Sequence, residues 1–258
     1  MGVIWFPILL ICLLTFFIFV TVKIRSEKVV SILLLILALI ILPWKIIEFS
    51  YYAVTKTGTY PIEISHISYF VFGVIVLFGI KKLFFTAGIF SFISALGYIV
   101  GGVASPSTGM ETLEFHIFIM GIISHFILLF GGLLLLFKVN KYSLREFYIP
   151  VIAFVLVLVF AYLVNQKVLY PEASGLDNLV VIKLINGTIL SYLKLDISNV
   201  VVNWIVTSLI YLLVISVIFI VNLLNNKIFE NKLNNTFGIG ILALKQVKVY
   251  KIGPNRLL

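Results

Sequence analysis

The chain has 258 residues, of which 62% are hydrophobic and 11% charged, with a net charge of +9. A soluble domain is about half apolar and ~25% charged. This composition therefore excludes one, and the long apolar blocks call for lipid as their solvent. The positive charge is no nucleic-acid signal, because Lys and Arg stand in short runs between apolar blocks, where they set membrane orientation.

The expected fold is an all-α integral membrane protein, a seven-transmembrane helix bundle, with no separate soluble domain. The first two spans run from about Val3 to Val22 and from Val29 to about Phe49. The third covers Ile62 to Ile80 and the fourth Leu83 to Val103. The fifth is His116 to Phe137, the sixth Phe147 to Val164 and the seventh Val201 to Leu224. Each is close to the ~20 residues that cross a ~30 Å hydrocarbon core. The first block has no basic residue before it, so it reads as a retained span rather than a cleaved signal. It holds the single cysteine, Cys12, in surroundings that do not activate a thiol.

Fourteen of the nineteen basic residues fall on one side of these spans. They include Lys23, Arg25, Lys28, Lys81, Lys82 and Lys138. The expected topology has the N-terminus outside and the C-terminus in the cytoplasm. On the outer side, Lys45 is expected to reach the interface. Pro43 in the second span predicts a kink. Gly97-x-x-x-Gly101-Gly102 in the fourth predicts close helix packing. The outer connection 165–200 reads equally as a hairpin around Asn186-Gly187 or as a helix lying at the interface. The tail 225–258 reads as a basic cytoplasmic segment beside anionic headgroups.

The chemistry-bearing residues cluster toward the outer side. Tyr60-Pro61-Ile62-Glu63-Ile64-Ser65-His66 opens the third span with a carboxylate, a hydroxyl and an imidazole. Glu63 and His66 share a helix face. Glu48 ends the second span, His116 begins the fifth, and His125 lies ~13.5 Å deeper along it. Together Glu48, Glu63, Ser65, His66, His116 and His125 are expected to border one cavity that opens outward. An ionisable side chain near the midplane is a functional hypothesis by default, which singles out His125. Glu48 and His66 read either as an ion pair at the rim or as catalytic groups. His116 reads either as a snorkelling interface residue or as part of the site. His116 and His125 fall on opposite faces of a regular helix. No metal-ligand spacing and no cofactor motif accompanies the histidines.

With Glu48 twelve residues before Tyr60-Pro61-Ile62-Glu63-Ile64-Ser65, the chain resembles the YwaF-like and transmembrane protein 164 family of polytopic membrane proteins. Gly97, Gly101, Gly102 and Pro106 stand where that family has a glycine-rich span and its proline. His116, Ser124-His125 and Asn165 stand where it has later polar residues. The resemblance covers about Glu48 to Asn165. It implies a lipid acyltransferase with a motif cysteine as acyl carrier and a histidine as base. This chain carries Ser65 in place of that cysteine and Glu63 in place of the motif histidine. Acyl transfer or hydrolysis here would use His125 or His66 as base, Ser65 as nucleophile and Glu48 or Glu63 to orient the imidazole. The competing expectation is a transporter in which His125 and the carboxylates bind substrate or relay protons. Either way the expected partners are membrane lipids or another amphiphile.

Overall fold

The computed structural model describes residues 5–55, 64–104, 115–139, 146–165 and the helical residues 205, 208–209 and 212–220. All regular structure among the described residues is helical. The main helices are α1 (Trp5–Lys23), α2 (Glu27–Thr55), α3 (Ile64–Leu77), α4 (Phe84–Ala104), α5 (Phe115–Leu134) and α6 (Tyr148–Asn165). A 3-10 turn, Lys81–Leu83, leads into α4, and a π-helical turn, Leu135–Val139, ends α5. Residues 212–220 form part of a further helix. The connection 166–200, expected on the outer side, the tail and Glu63 lie outside the described residues.

Four segments are long and apolar enough to cross a membrane: Trp5–Lys23, Glu27–Thr55, Lys81–Val103 and Phe118–Val139. Their outward faces are apolar too. Ile8, Phe16 and Phe19 of α1, Ile36, Leu39 and Ile47 of α2, and Val155 and Leu156 of α6 are all exposed. A helix with apolar residues on every side belongs in lipid or in a core. These lie on the outside of the described bundle, as the lipid-facing sides of membrane helices do.

Helices that follow one another in the chain alternate in direction. Phe6 meets Phe118 and Phe17 meets Phe126 and Phe130, so α1 and α5 run parallel. Gly102 of α4 faces Phe6 and Leu10 near the start of α1, so α4 runs against both. Phe49 meets both His66 and Phe70, which sets α2 against α3. The middle of the bundle is α4, which packs on α1, α3, α5 and α6. Buried Phe72, Leu128, Leu129 and Leu134 fill the core between them. Ile215, Ile218 and Phe219 pack on Phe85, Ile89 and Leu136 at one flank.

Helix ends follow local chemistry more than hydropathy. Ser26 precedes α2, and its hydroxyl accepts from the Val29 amide at 3.5 Å, a long capping contact. α2 continues past the expected end at Phe49 to Thr55. Its hydrogen bonds are internal, and the next breaker in the sequence is Gly58. α3 stops at Leu77, short of the expected Ile80. Gly79 takes φ 63°, the left-handed region. The Ile80 amide then donates to Ile75 O at 3.0 Å and the Gly79 amide to Val76 O at 3.2 Å. That pair of bonds is a Schellman stop, available because glycine has no Cβ to clash.

Within Gly97-x-x-x-Gly101-Gly102 the tight contact is at Gly102, where a Cβ would lie 2.7 Å from the Leu10 side chain of α1. A Cβ on Gly101 would have nothing within 4 Å. On Gly132 of α5 it would lie 2.9 Å from the Phe92 backbone nitrogen and 3.1 Å from Gly88 O. The α4 and α5 backbones therefore touch at Gly88 and Gly132, and the Phe72 ring of α3 lies against Gly131. Spacing marks a face of a helix but does not say which neighbour it meets.

Candidate functional site

A polar cluster joins α2, α3, α4 and α5 at the end of the bundle away from Lys23 and Lys138. It is built around Tyr69, which is 2% exposed. The buried face of α3 repeats at helical spacing through Ile64, Ser68, Tyr69, Phe72 and Val76. Ser68 anchors that face, its hydroxyl lying 2.6 Å from Ile64 O and 3.0 Å from Phe90 O of α4. The Tyr69 ring is thereby held between α2 and α5.

On the α2 side lies Lys45. Its side chain is 6% exposed, and Nζ donates to Glu48 Oε2 at 2.8 Å. The same ammonium lies 4.6 Å from the centre of the Tyr69 ring and 4.8 Å from that of Trp44. Lys45, expected to reach out to the interface, is instead buried against protein. It turns inward because Glu48, three residues on, shares its helix face, and because two rings offer their negative faces to a cation. Glu48 likewise takes Lys45 as its ion-pair partner rather than His66. The α2 side chain against His66 is Phe49, with ring centroids 4.9 Å apart.

On the α5 side lies His125. Its Nδ1 is 2.8 Å from Gly121 O. A carbonyl only accepts, so Nδ1 carries the proton and Nε2 is the basic nitrogen of the neutral ring. The Tyr98 ring of α4 stacks on the imidazole at 4.0 Å and 11°. The Tyr69 ring meets it edge-on at 5.8 Å. The Tyr69 hydroxyl lies 3.2 Å from Ser124 Oγ and 3.4 Å from both imidazole nitrogens. Being equidistant, it points squarely at neither nitrogen. Ser124 in turn donates to Met120 O at 2.8 Å.

The structure thus brings Glu48, His66 and His125 around one tyrosine. His66 lies 6.4 Å from the Tyr69 ring, on the preceding turn. Ser65 is half-buried on the first turn of α3, four residues before Tyr69 and so on the same side of the helix. His116 falls in the first turn of α5, but its side chain, like Glu63, lies outside the described residues. Among the described residues, no three His, Cys, Asp or Glu side chains gather as a metal site.

Sequence reasoning missed Lys45, Tyr69 and Tyr98. A signal existed for two of them. Lys45 precedes Glu48 by one turn, and Tyr69 follows Ser65 and His66 by one turn. Nothing in the sequence marks Tyr98 as the stacking partner of His125. Along the same α4 face, the buried hydroxyls of Ser91 and Ser94 have no hydrogen-bond partner among the described residues.

No family model, no curated protein and no solved structure matches this chain.

Proposed function

We propose that this chain is a seven-span protein of the cell membrane, with its N-terminus outside and its C-terminus in the cytoplasm. In this reading it is related to the YwaF-like and transmembrane protein 164 family, and its outward-facing polar site handles the polar end of a lipid or similar amphiphile. The observation that carries the reading is Lys45, a cation buried in the bundle and held by Glu48 and the Tyr69 ring. Burying a charge among lipid-facing helices costs free energy, and such residues are kept for function far more often than for stability.

The chemistry we propose is acyl transfer or hydrolysis. The Ser65 hydroxyl attacks an acyl ester carbonyl, and His125 or His66 accepts its proton. The base returns that proton to the departing alkoxide, which leaves as an alcohol. The acyl group, now on Ser65, passes to a second alcohol or to water by the reverse sequence. In this reading Lys45 and the Tyr69 hydroxyl hold an ester oxygen or a headgroup phosphate. Glu48 keeps Lys45 in position.

A second reading, transport, has its own support. The groups Glu48, Lys45, Tyr69 and His125 run in sequence from α2 through α3 to α5. A substrate or proton bound among them would act on three helices at once.

The test compares the lipids of cells making wild type, Ser65→Ala, His125→Ala or Lys45→Met at equal membrane abundance. An acyl-chain profile changed by wild type and by none of the variants supports acyl chemistry. A Ser65→Ala protein that behaves as wild type, while His125→Ala does not, favours transport. No lipid change with any protein removes the acyl reading.

A further inference from the structure

The end of the bundle opposite the Tyr69 site is basic. Lys23, Arg25 and Lys28 lie at the α1–α2 junction, Lys81 and Lys82 in the 3-10 turn, and Lys138 in the π-helical turn. One of these reaches across the fold. Lys138 Nζ donates to the Val22 carbonyl of α1 at 3.5 Å. Val22 belongs to the last turn of α1, whose carbonyls lack intrahelical donors and carry the negative end of the helix dipole. Lys138 thus ties the end of α5 to the end of α1.

Arg25 follows Val22 by three residues and is exposed. The Lys138 ammonium is held at the Val22 carbonyl, three residues before Arg25, so both cations border the end of α1. Among the described residues neither has a carboxylate partner. Two cations at one helix end repel, and an anion between them relieves that repulsion. The neighbouring surface of α1 is apolar: Phe19 is 58% and Val22 65% exposed. Lys23 leans over the Phe19 ring at 5.3 Å, so a third charge borders the strip. A small water-soluble anion has no use for this strip. An acyl chain ending in a phosphate complements both parts.

We propose that Arg25 and Lys138 hold the phosphate of an anionic phospholipid between the ends of α1 and α5, with an acyl chain along Phe19 and Val22. The site lies ~20 Å along α5 from His125, at the helical rise per residue. It is therefore separate from the Tyr69 cluster and does not depend on the chemistry assigned there. Bound in this way, the lipid neutralises the like-charge pair and fastens the π-helical turn that ends α5 to α1.

Native mass spectrometry of the full chain, released from detergent micelles, tests this. The protein is titrated separately with phosphatidylglycerol, phosphatidylcholine and inorganic phosphate. The expected result is retention of phosphatidylglycerol in preference to phosphatidylcholine, with millimolar phosphate unable to displace it. Arg25→Gln and Lys138→Gln should each weaken retention about fivefold, as loss of one basic residue at an anionic surface does. Lys138→Arg should preserve it. The double variant Lys81→Gln/Lys82→Gln removes two charges from the same end, twice what either single variant removes, and should leave retention intact. Equal retention of the two lipids overturns the proposal. So does a loss in Lys81→Gln/Lys82→Gln as large as in the proposed pair, which would show diffuse attraction. Full displacement by phosphate also overturns it, by showing a free-anion site. Should Lys138→Gln fail to fold, exposed Arg25→Gln carries the test alone.

Discussion

The Lys45 ammonium lies 4.6 Å from the centre of the Tyr69 ring, so a charge on α2 is held by an aromatic side chain of α3. Its other partner, Glu48, is on its own helix. The two contacts differ in kind. The ion pair neutralises the charge, while the ring ties it to a neighbouring helix.

Removing one member of this pair should therefore hurt more than removing both. Lys45→Met keeps the apolar stem but leaves the Glu48 carboxylate, whose side chain is 22% exposed, without its partner. Loss of one partner of a buried pair costs about 3 kcal/mol or more. Lys45→Met/Glu48→Gln leaves no unpaired charge and should recover most of that. Thermal unfolding in detergent of the two single variants and the double supplies the cycle. Additive effects would mean that the pair is not coupled.

Tyr69→Phe separates packing from chemistry. The ring stays, with its contacts to Lys45 and His125, and only the hydroxyl is lost. Ser124 keeps its bond to Met120 O. The stability change should be about 1 kcal/mol or less. If the Tyr69 hydroxyl serves the site, the lipid change produced by wild type should fall as far as it does with His125→Ala. An unchanged lipid profile in Tyr69→Phe would leave the hydroxyl as a packing contact to Ser124.

Much of this architecture was legible, for reasons that differ by element. The long apolar runs marked α1, α2, α4 and α5, because ~20 residues without charge have one common use. The end of α3 was misjudged because hydropathy runs on through Ile80, while the backbone stops where Gly79 can turn left-handed. The site was half visible. Glu48, His66 and His125 stand out as polar residues in apolar surroundings. Lys45 does too, but a lysine near a span's end ordinarily snorkels, and only the placement of Tyr69 by the packing of α3 shows that it turns inward. Tyr69 itself passes for an aromatic-belt residue.

The glycines give a paired prediction. Gly132→Ala puts a methyl group against the Phe92 backbone and Gly88 O, neither of which can rotate away. The α4 and α5 helices must separate, at a cost of about 1–3 kcal/mol. Gly101→Ala meets nothing within 4 Å. Alanine favours a helix by up to about 1 kcal/mol over glycine, so this variant should be neutral or stabilising. Unfolding midpoints of the two variants in one detergent decide it. Equal losses would mean that α4 and α5 do not meet at Gly132.

Ser91 makes the sharpest stability prediction. It is 0% exposed, and its hydroxyl has no hydrogen-bond partner among the described residues. A serine within a helix ordinarily bonds back to a carbonyl one turn earlier, as Ser68 does to Ile64 O. A buried hydroxyl without a partner costs about 1–3 kcal/mol. Ser91→Ala removes that hydroxyl at almost no change in volume and should raise the unfolding midpoint. The same holds for Ser94→Ala, one turn nearer Tyr98 and His125 on the same face of α4. A lowered midpoint in both variants would show instead that these hydroxyls are bonded in the membrane. The polar site would then extend from His125 down the face of α4.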